Sequence, residues 1–289
     1  TSNVTINGAA DCWIRRVESE NTLKYHFSIT RSLHLEIRDS YIHESKSKGD
    51  GGQGYGTSLS RYVTSVLVEN NIFSELRHAM IVQIGVNGCV FGYNYAERNY
   101  SDDGWDKTYI SIHGHYPFMN LYEGNIVGRV GIADYWGPSG PGNTFFRNRV
   151  KGTDKHKDFG PYRGIEVDDY SHDQNIIANE LTGSQTKITF DGNDDRSQGT
   201  STGVLVHGNN VHGTVTWDPS IPDRILPASF YLTSKPDFFG AVDWPAMGGD
   251  KPLGQGTIPA EVRRNSGDYV PQPKDSATPP APTNLRIMP

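Results

Sequence analysis

Residues 144–150 of the chain read TFFRNRV. The same order of apolar, polar and apolar positions recurs in residues 67–73 (LVENNIF), 90–96 (VFGYNYA) and 121–127 (LYEGNIV), and each of these runs has asparagine at its fifth position. The runs LEIRDSYI, IIANEL and LVHGNNV extend the series, and CWIRRVES precedes it. The positions taken as equivalent are Val17, Ser40, Asn71, Asn94, Asn125, Asn148, Asn179 and Asn210. We interpret them as one ladder of stacked side chains.

The ladder positions are separated by 23, 31, 23, 31, 23, 31 and 31 residues. A repeat near 23 residues, with one such run in each copy, predicts one turn of a β-solenoid. The additional residues of the longer repeats must then leave the coil as loops.

Each repeat also contains a second predicted strand, which precedes the ladder run. These strands are 26–30, 57–61, 80–84, 109–113, 131–136, 164–169 and 187–192. Alternation directs a set of apolar side chains inward: Ile29, Leu59, Val82, Ile112, Val167 and Phe190. Their neighbours then face outward on one sheet: Ser60, Gln83, His113, Asp168 and Asp191.

Three insertions follow the ladder position at similar distances, at residues 46–56, 99–107 and 152–162. Insertions at one phase of a solenoid lie on one side of it. We therefore expect them to form a wall beside the outward face described above. A fourth insertion, at 193–202, has another phase and is expected at the far end of the groove.

The repeats predict three parts of the chain. Residues 1–215 form the coils, 216–265 form an irregular tail packed on them, and 266–289 form a Pro-rich linker. The final PPAPTNLRI resembles the first strand of a fibronectin type III module, which implies a missing downstream module in a multi-module secreted protein. Because the chain begins with Thr1, we also expect it to be a processed or excised piece.

Composition excludes two classes of partner. A net charge of −6 at pH 7 argues against nucleic-acid binding, which usually needs a basic surface. There is no run of 18 apolar residues, so no membrane span is predicted. Cys12 and Cys89 share a column but are three coils apart, about 14 Å, which is too far for a disulfide. We expect two free, inward-facing thiols.

The repeated runs, of which LVENNIF and TFFRNRV are typical, resemble those of right-handed parallel β-helix proteins of the pectin-lyase-like superfamily. The resemblance covers about residues 3–215. It implies an all-β, single-stranded right-handed parallel β-helix of about eight coils with an irregular C-terminal tail. It further implies a carbohydrate groove on one outward sheet face and a secreted or cell-surface protein of bacterial type. Fold alone does not assign the activity.

Acidic residues on the outward face are the candidate catalytic groups. Carboxyl groups on neighbouring coils are spaced suitably for the acid and base of a glycoside hydrolase. The same acids also suit Ca²⁺, although no cofactor is indicated with certainty. His113 is added because an imidazole transfers protons near neutral pH. The predicted catalytic residues are Asp168, Asp169, Glu166, His113 and Asp134.

Further residues are predicted to bind the polysaccharide. Trp136 and Trp105 can stack on sugar rings, and Arg163 and Lys107 can pair with a uronate. The remaining candidates are Tyr135, His115, Gln83, Asp191 and His78.

Three functions agree with these residues. We favour a glycoside hydrolase because carboxylates outnumber cations on the face. A polysaccharide lyase, with His113 or Tyr135 as base, is the first alternative, and a non-catalytic carbohydrate-binding or adhesion module is the second.

Overall fold

A computed structural model of the chain describes residues 1–47, 52–101, 107–132, 136–152, 164–190 and 199–271. These residues are nearly all β. Twenty-five strands are numbered in chain order, and they are accompanied by one short 3-10 turn at Asp237–Phe239 and one helix, α1, at Pro259–Ser266. Neither of the helical segments among these residues has the length and apolar character needed to cross a membrane.

The strands form three sheets, which we call A, B and C. Sheet A contains, in spatial order, β1 (Val4–Asn7), β4 (Tyr25–Thr30), β7 (Tyr55–Ser60), β10 (His78–Val82), β13 (Ile110–Ile112), β16 (Val130–Ile132), β19 (Ile165–Val167) and β22 (Ile188–Thr189). Sheet B contains β2 (Ala10–Arg15), β5 (Leu33–Arg38), β8 (Thr64–Glu69), β11 (Val90–Gly92), β14 (Leu121–Glu123), β17 (Thr144–Phe146), β20 (Asn175–Ile177) and β23 (Leu205–His207). Sheet C contains β3 (Glu18–Thr22), β6 (Tyr41–Ser45), β9 (Ile72–Ser74), β12 (Tyr95–Glu97), β15 (Ile126–Val127), β18 (Arg149–Val150), β21 (Glu180–Leu181), β24 (Asn209–Val211) and β25 (Thr214–Thr216).

The order within the sheets shows how the chain is arranged. Up to β24 each strand pairs in parallel with the strand three places along the chain, so the chain visits sheets A, B and C in turn. Only the last pair of sheet C, β24 with β25, is antiparallel among the described strands. Stacked parallel strands connected in this way are compatible with the predicted β-helix.

Apolar side chains stack from strand to strand inside the sheets. On sheet A, Ile29 is in register with Leu59, and the column continues through Val82, Ile112, Ile132 and Val167. All of these side chains are fully buried. Each contributes roughly 1.5–3 kcal/mol of transfer free energy. The inward positions predicted from alternation are therefore confirmed for this column.

The asparagine ladder lies where the chain turns from sheet B to sheet C. Asn71 Nδ2 donates to Asn94 Oδ1 at 3.0 Å, and the backbone N–H of Asn71 donates to the same oxygen at 3.0 Å. Asn71 Nδ2 also donates to the Ile37 carbonyl at 2.9 Å. The amide thus satisfies backbone groups that the tight turn would leave without partners.

At the last position of the ladder the sequence prediction was wrong. Asn179 Nδ2 donates to Asn209 Oδ1 at 3.0 Å, so Asn209, and not Asn210, continues the ladder. Asn210 Oδ1 instead accepts the N–H of Gly213 in the turn before β25. Both residues are asparagines, and only Asn209 has the fifth position of its run.

A second amide ladder, which the sequence reasoning did not identify, lies where the chain turns from sheet A to sheet B. Asn120 Nδ2 donates to Asn143 Oδ1 at 3.0 Å, and Asn143 Nδ2 donates to Gln174 Oε1 at 3.0 Å. Two corners of the coil are therefore held by stacked amides.

The segment after β25 packs on the outer surfaces of sheets B and C. Phe239, Met247 and Ile258 are buried against a row of side chains that includes Tyr93 and Tyr95. Polar contacts join the same surfaces. The guanidinium of Arg147 donates to Asp250 Oδ1 at 2.6 Å and to the Met247 carbonyl at 2.8 Å, and Arg263 donates to the Asn70 carbonyl at 2.7 Å.

The two cysteines are free thiols, as predicted. Cys12 is in register with Leu35 and packs beside the core, half-buried, and Cys89 is fully buried. Burial raises the pKa of the Cys89 thiol to about 12.

Candidate functional site

The outer face of sheet A is organised as columns of side chains that run from coil to coil. One column contains Ser28, Ser58, Ile81, Ser111, Gly131 and Glu166. Parallel hydrogen bonding continues one residue beyond the strands, because Gln83, His113 and Asp168 donate their N–H groups to carbonyls of the preceding coil. A second column therefore contains Ser60, Gln83, His113 and Asp168, as the sequence predicts. One coil separates His113 from Asp168, which places their Cα atoms about 10 Å apart.

Glu166 is held by an ion pair on this face. Arg129, directly before β16, donates through Nε to Glu166 Oε2 at 2.7 Å, and its Nη2 contacts the same oxygen. The Glu166 side chain is only 5% exposed. A carboxylate held by a guanidinium suits the role of a base better than that of an acid.

Asp168 is also enclosed, because the segment that contains Thr200 and Ser201 packs beside it. Thr200 forms an antiparallel bridge with Asp168, and the Ser201 N–H donates to the Phe190 carbonyl at 3.1 Å. The residue is 8% exposed. Asp169 is 6% exposed and lies past the strand, in a left-handed turn conformation with φ of 56°. Asp168 therefore belongs to the second column, whereas Asp169 belongs to the turn that follows it.

His113 and Gln83 are half-buried in the second column, and Lys107 is half-buried shortly before β13. His115 is exposed and has left-handed backbone in the turn that follows His113. Trp136 is exposed close to the same edge of sheet A. His113, predicted to be catalytic, and the other four residues, predicted to bind the substrate, therefore lie on or beside the face.

His78 lies at the other edge of sheet A, where it is buried. Its Nδ1 lies 2.7 Å from the Thr108 carbonyl, so this nitrogen carries the proton and donates. The ring lies 4.9 Å from that of Tyr55, whose hydroxyl accepts a hydrogen bond from Arg77 Nη1 at 3.3 Å. His78 therefore belongs to a packed cluster at the base of the predicted loop wall.

Five predicted site residues lie outside the described residues: Asp134, Tyr135, Trp105, Arg163 and Asp191. Much of the predicted loop wall lies outside them as well.

Sequence reasoning missed a row of exposed tyrosines at the turn from sheet A to sheet B, formed by Tyr62, Tyr116 and Tyr170. The available signal was a tyrosine shortly after each of three predicted strands, at 57–61, 109–113 and 164–169.

Within the described residues, the group able to present three ligand atoms to one metal ion lies on sheet C. It consists of Glu20, His43 and Glu44, whose ligand atoms lie within 4.8 Å of one another. His43 Nε2 is already 3.1 Å from Glu18 Oε1.

Comparison with protein-family models, with curated proteins and with solved structures gave no match for this chain.

Proposed function

We propose that this is a secreted or cell-surface carbohydrate-active protein that binds an extended polysaccharide on the outer face of sheet A and hydrolyses it. The proposal takes the three stacked sheets as the faces of a right-handed parallel β-helix of about eight coils, as in pectin-lyase-like proteins. The pairing of every third strand supports that interpretation. A downstream module, reached through the Pro-rich segment, belongs to the same proposal.

The observation that carries hydrolysis is a pair of carboxyl groups in adjacent columns of one outer face. Glu166 lies on β19 and Asp168 directly follows that strand, two residues further along the same extended segment, so their Cα atoms are about 7 Å apart. Inverting glycosidases hold their carboxyl groups about 6.5–9.5 Å apart, which leaves room for the attacking water, and side chains that project from these Cα positions on one face can reach such a separation. Glu166, charged beside Arg129, serves as the base that activates this water. Asp168 serves as the acid that protonates the leaving oxygen.

Carbohydrate binding without cleavage is the second candidate, and the burial of both carboxyl groups favours it. Glu166 and Asp168 are 4% and 8% exposed, so a substrate must displace part of the surrounding chain to reach them. The exposed groups His115 and Trp136 bind a sugar without that rearrangement.

The test is to incubate the protein with a panel of neutral and uronic polysaccharides and to analyse the products. New reducing ends without ultraviolet absorption from an enone identify a hydrolase. We expect Glu166→Gln and Asp168→Asn each to lower the rate at which new reducing ends form by at least about 100-fold. Products with the enone band would identify a lyase and reject hydrolysis. Binding without new ends would leave the second candidate.

Glu36→Gln is the matched control. Glu36 is a carboxylate of similar burial on sheet B that is ion-paired with Arg15. The substitution of Glu36 removes a buried ion pair comparable to that of Glu166, but on a different sheet. Equal loss of activity in Glu36→Gln and Glu166→Gln would mean that Glu166 acts only through stability.

A further inference from the structure

The turn from sheet A to sheet B has an uncommon backbone. In four coils it contains two consecutive residues with left-handed conformation: Arg61-Tyr62, Ile84-Gly85, His115-Tyr116 and Asp169-Tyr170. The second residue of each pair has φ of 67° at Tyr62, 68° at Gly85, 66° at Tyr116 and 59° at Tyr170. Glycine is the residue that this conformation favours, and a bulky side chain there is an outlier. Three of the four coils nevertheless place tyrosine at this position.

Each tyrosine ring lies against a glycine of the following coil. A Cβ on Gly85 would lie 3.2 Å from Tyr62 Cδ1, and a Cβ on Gly140 would lie 2.8 Å from Tyr116 Cδ1. A Cβ on Gly199 would collide with the Tyr170 ring. One side of each ring therefore packs against the glycine backbone of the following coil.

The rest of each ring faces solvent. The exposed fractions are 71% for Tyr62, 55% for Tyr116 and 49% for Tyr170. A side chain that serves core packing would be buried, so packing does not explain why the turn accepts an unfavourable backbone three times. Left-handed residues also recur at the turn from sheet B to sheet C, but there the side chains of Tyr93 and Arg147 are buried and make hydrogen bonds. Exposure therefore distinguishes the three tyrosines, and exposed side chains on an unfavourable backbone are candidates for binding.

The spacing of the row indicates a periodic partner. Strands β7, β13 and β19, which precede the three tyrosines, are second neighbours in sheet A. The rings are therefore two strand spacings apart, about 9.5 Å, along the stacking direction. One strand spacing is comparable with the length of one pyranose unit in an extended polysaccharide.

The chemistry of the row also fits a sugar chain. A tyrosine presents an apolar ring face, which suits the C–H face of a pyranose, together with a hydroxyl. Arg61 and His115 are exposed beside the rings and offer hydrogen bonds to sugar hydroxyls. The net charge of −6 disfavours a nucleic acid, the other periodic partner with flat rings.

We infer that Tyr62, Tyr116 and Tyr170 form a stacking platform that binds an extended polysaccharide along the turn from sheet A to sheet B. This inference rests on the proposed function, because it takes the polymer to be a polysaccharide. It adds a binding surface outside the columns that contain Glu166 and Asp168.

The test is a triple variant, Tyr62→Asn, Tyr116→Asn and Tyr170→Asn. Asparagine tolerates left-handed backbone, so the turn is kept while the rings are lost. Dissociation constants are measured for the polysaccharide that the wild-type protein binds best in the panel. We expect at least about 10-fold weaker binding, the equivalent of one or two lost stacking contacts. Trp13→Ala, which removes an exposed aromatic residue of sheet B, should leave binding unchanged.

Gly140→Ala provides a second variant that keeps every tyrosine. The new methyl group would lie 2.8 Å from Tyr116 Cδ1 and 2.8 Å from Phe118 Cβ, and the Tyr116 ring, which is exposed on its other side, is the group free to move away. We therefore expect weaker binding, although less than in the triple variant. This variant decides the matter if the triple variant does not fold. Wild-type affinity in a folded triple variant, or in Gly140→Ala if the triple variant is unfolded, would overturn the inference.

The outcomes separate the platform from the proposed function. Glu166→Gln should lose cleavage and keep binding, whereas the triple variant should lose binding. If the wild-type protein binds no polysaccharide, both proposals fail. If it binds equally well with and without the tyrosines, only the platform fails.

Discussion

Glu123 should make the stability of the protein depend on pH. It lies on β14, fully buried beneath the segment that follows β25. Its carboxyl group accepts hydrogen bonds from the Tyr93 hydroxyl at 2.8 Å and from the Phe230 N–H at 2.8 Å. Burial is the largest influence on it and raises its pKa from 4.5 to about 7, although these hydrogen bonds oppose the rise.

The sign of the effect follows from the raised pKa. The folded state favours the neutral acid, so the stabilisation is complete below pH 4.5 and is lost as the pH rises through about 7. A rise from 4.5 to about 7, at 1.36 kcal/mol for each pKa unit, corresponds to about 3 kcal/mol. The free energy of unfolding should therefore fall by about that amount between mildly acidic and mildly alkaline pH.

Glu123→Gln removes this titration and keeps the shape of the side chain. Urea unfolding followed by circular dichroism from pH 4.5 to pH 8.5 gives the free energy of unfolding of both proteins. The variant should gain about 3 kcal/mol relative to the wild-type protein over this range. Because the amide changes hydrogen bonds at every pH, the slope is compared rather than the absolute stability. Glu20→Gln, at an exposed position of β3, should keep the wild-type slope. An unchanged slope in Glu123→Gln would refute the reasoning.

Three further predictions concern the ladder, the thiols and the tail. Asn125→Ala should lower the free energy of unfolding by at least about 3 kcal/mol, because it leaves buried groups on both neighbouring coils without partners. Ser40→Ala, nearer the end of the ladder, should cost about 1 kcal/mol, because its hydroxyl accepts one backbone N–H. Equal losses in urea unfolding would show that the number of hydrogen bonds at a ladder position does not set its contribution. At pH 8 a thiol reagent should modify at most Cys12 in the native protein. It should reach Cys89 only in denaturant, because Cys89 is buried and its pKa is raised to about 12. Rapid modification of both thiols in the native protein would show that the core opens. Arg147→Ala removes the contacts to Asp250 and to the Met247 carbonyl, so limited proteolysis should cut the segment after β25 sooner. An unchanged digestion pattern would show that apolar contacts alone hold this segment on the sheets.

The periodic part of the fold could be predicted because each repeat carries the same local signal. The column from Ile29 to Val167 and the ladder from Val17 to Asn179 follow directly from alternation and from the repeated runs. The ladder prediction failed at Asn210 because two adjacent asparagines offered the same residue type, and the fifth position of the run, which indicates Asn209, was not applied to the last repeat. The second ladder was missed because one of its members is a glutamine, although its steps of 23 and 31 residues equal those of the first ladder.

The candidate site was less predictable, because its environment depends on contacts between distant residues. The outward direction of Asp168 follows from alternation along its strand. The ion pair of Glu166 does not, since Arg129 lies 37 residues earlier in a corner of the coil. The bridge from Thr200 to Asp168 likewise joins two residues that are distant in the sequence. Local patterns therefore predict on which face of the sheet a side chain lies. Whether it is buried there depends on contacts with residues that are distant in the sequence.

A comparison of the two kinds of repeated polar residue separates structural from functional roles. The ladder asparagines are buried, and each of their polar atoms satisfies a backbone group, so the requirements of the turn explain their identity. The tyrosines at the turn from sheet A to sheet B have the opposite properties. They are exposed, and their backbone conformation would be easier for glycine, as Gly85 at the same position of another coil demonstrates. Folding does not require tyrosine there, and this is the reason for proposing that the row serves a polysaccharide partner.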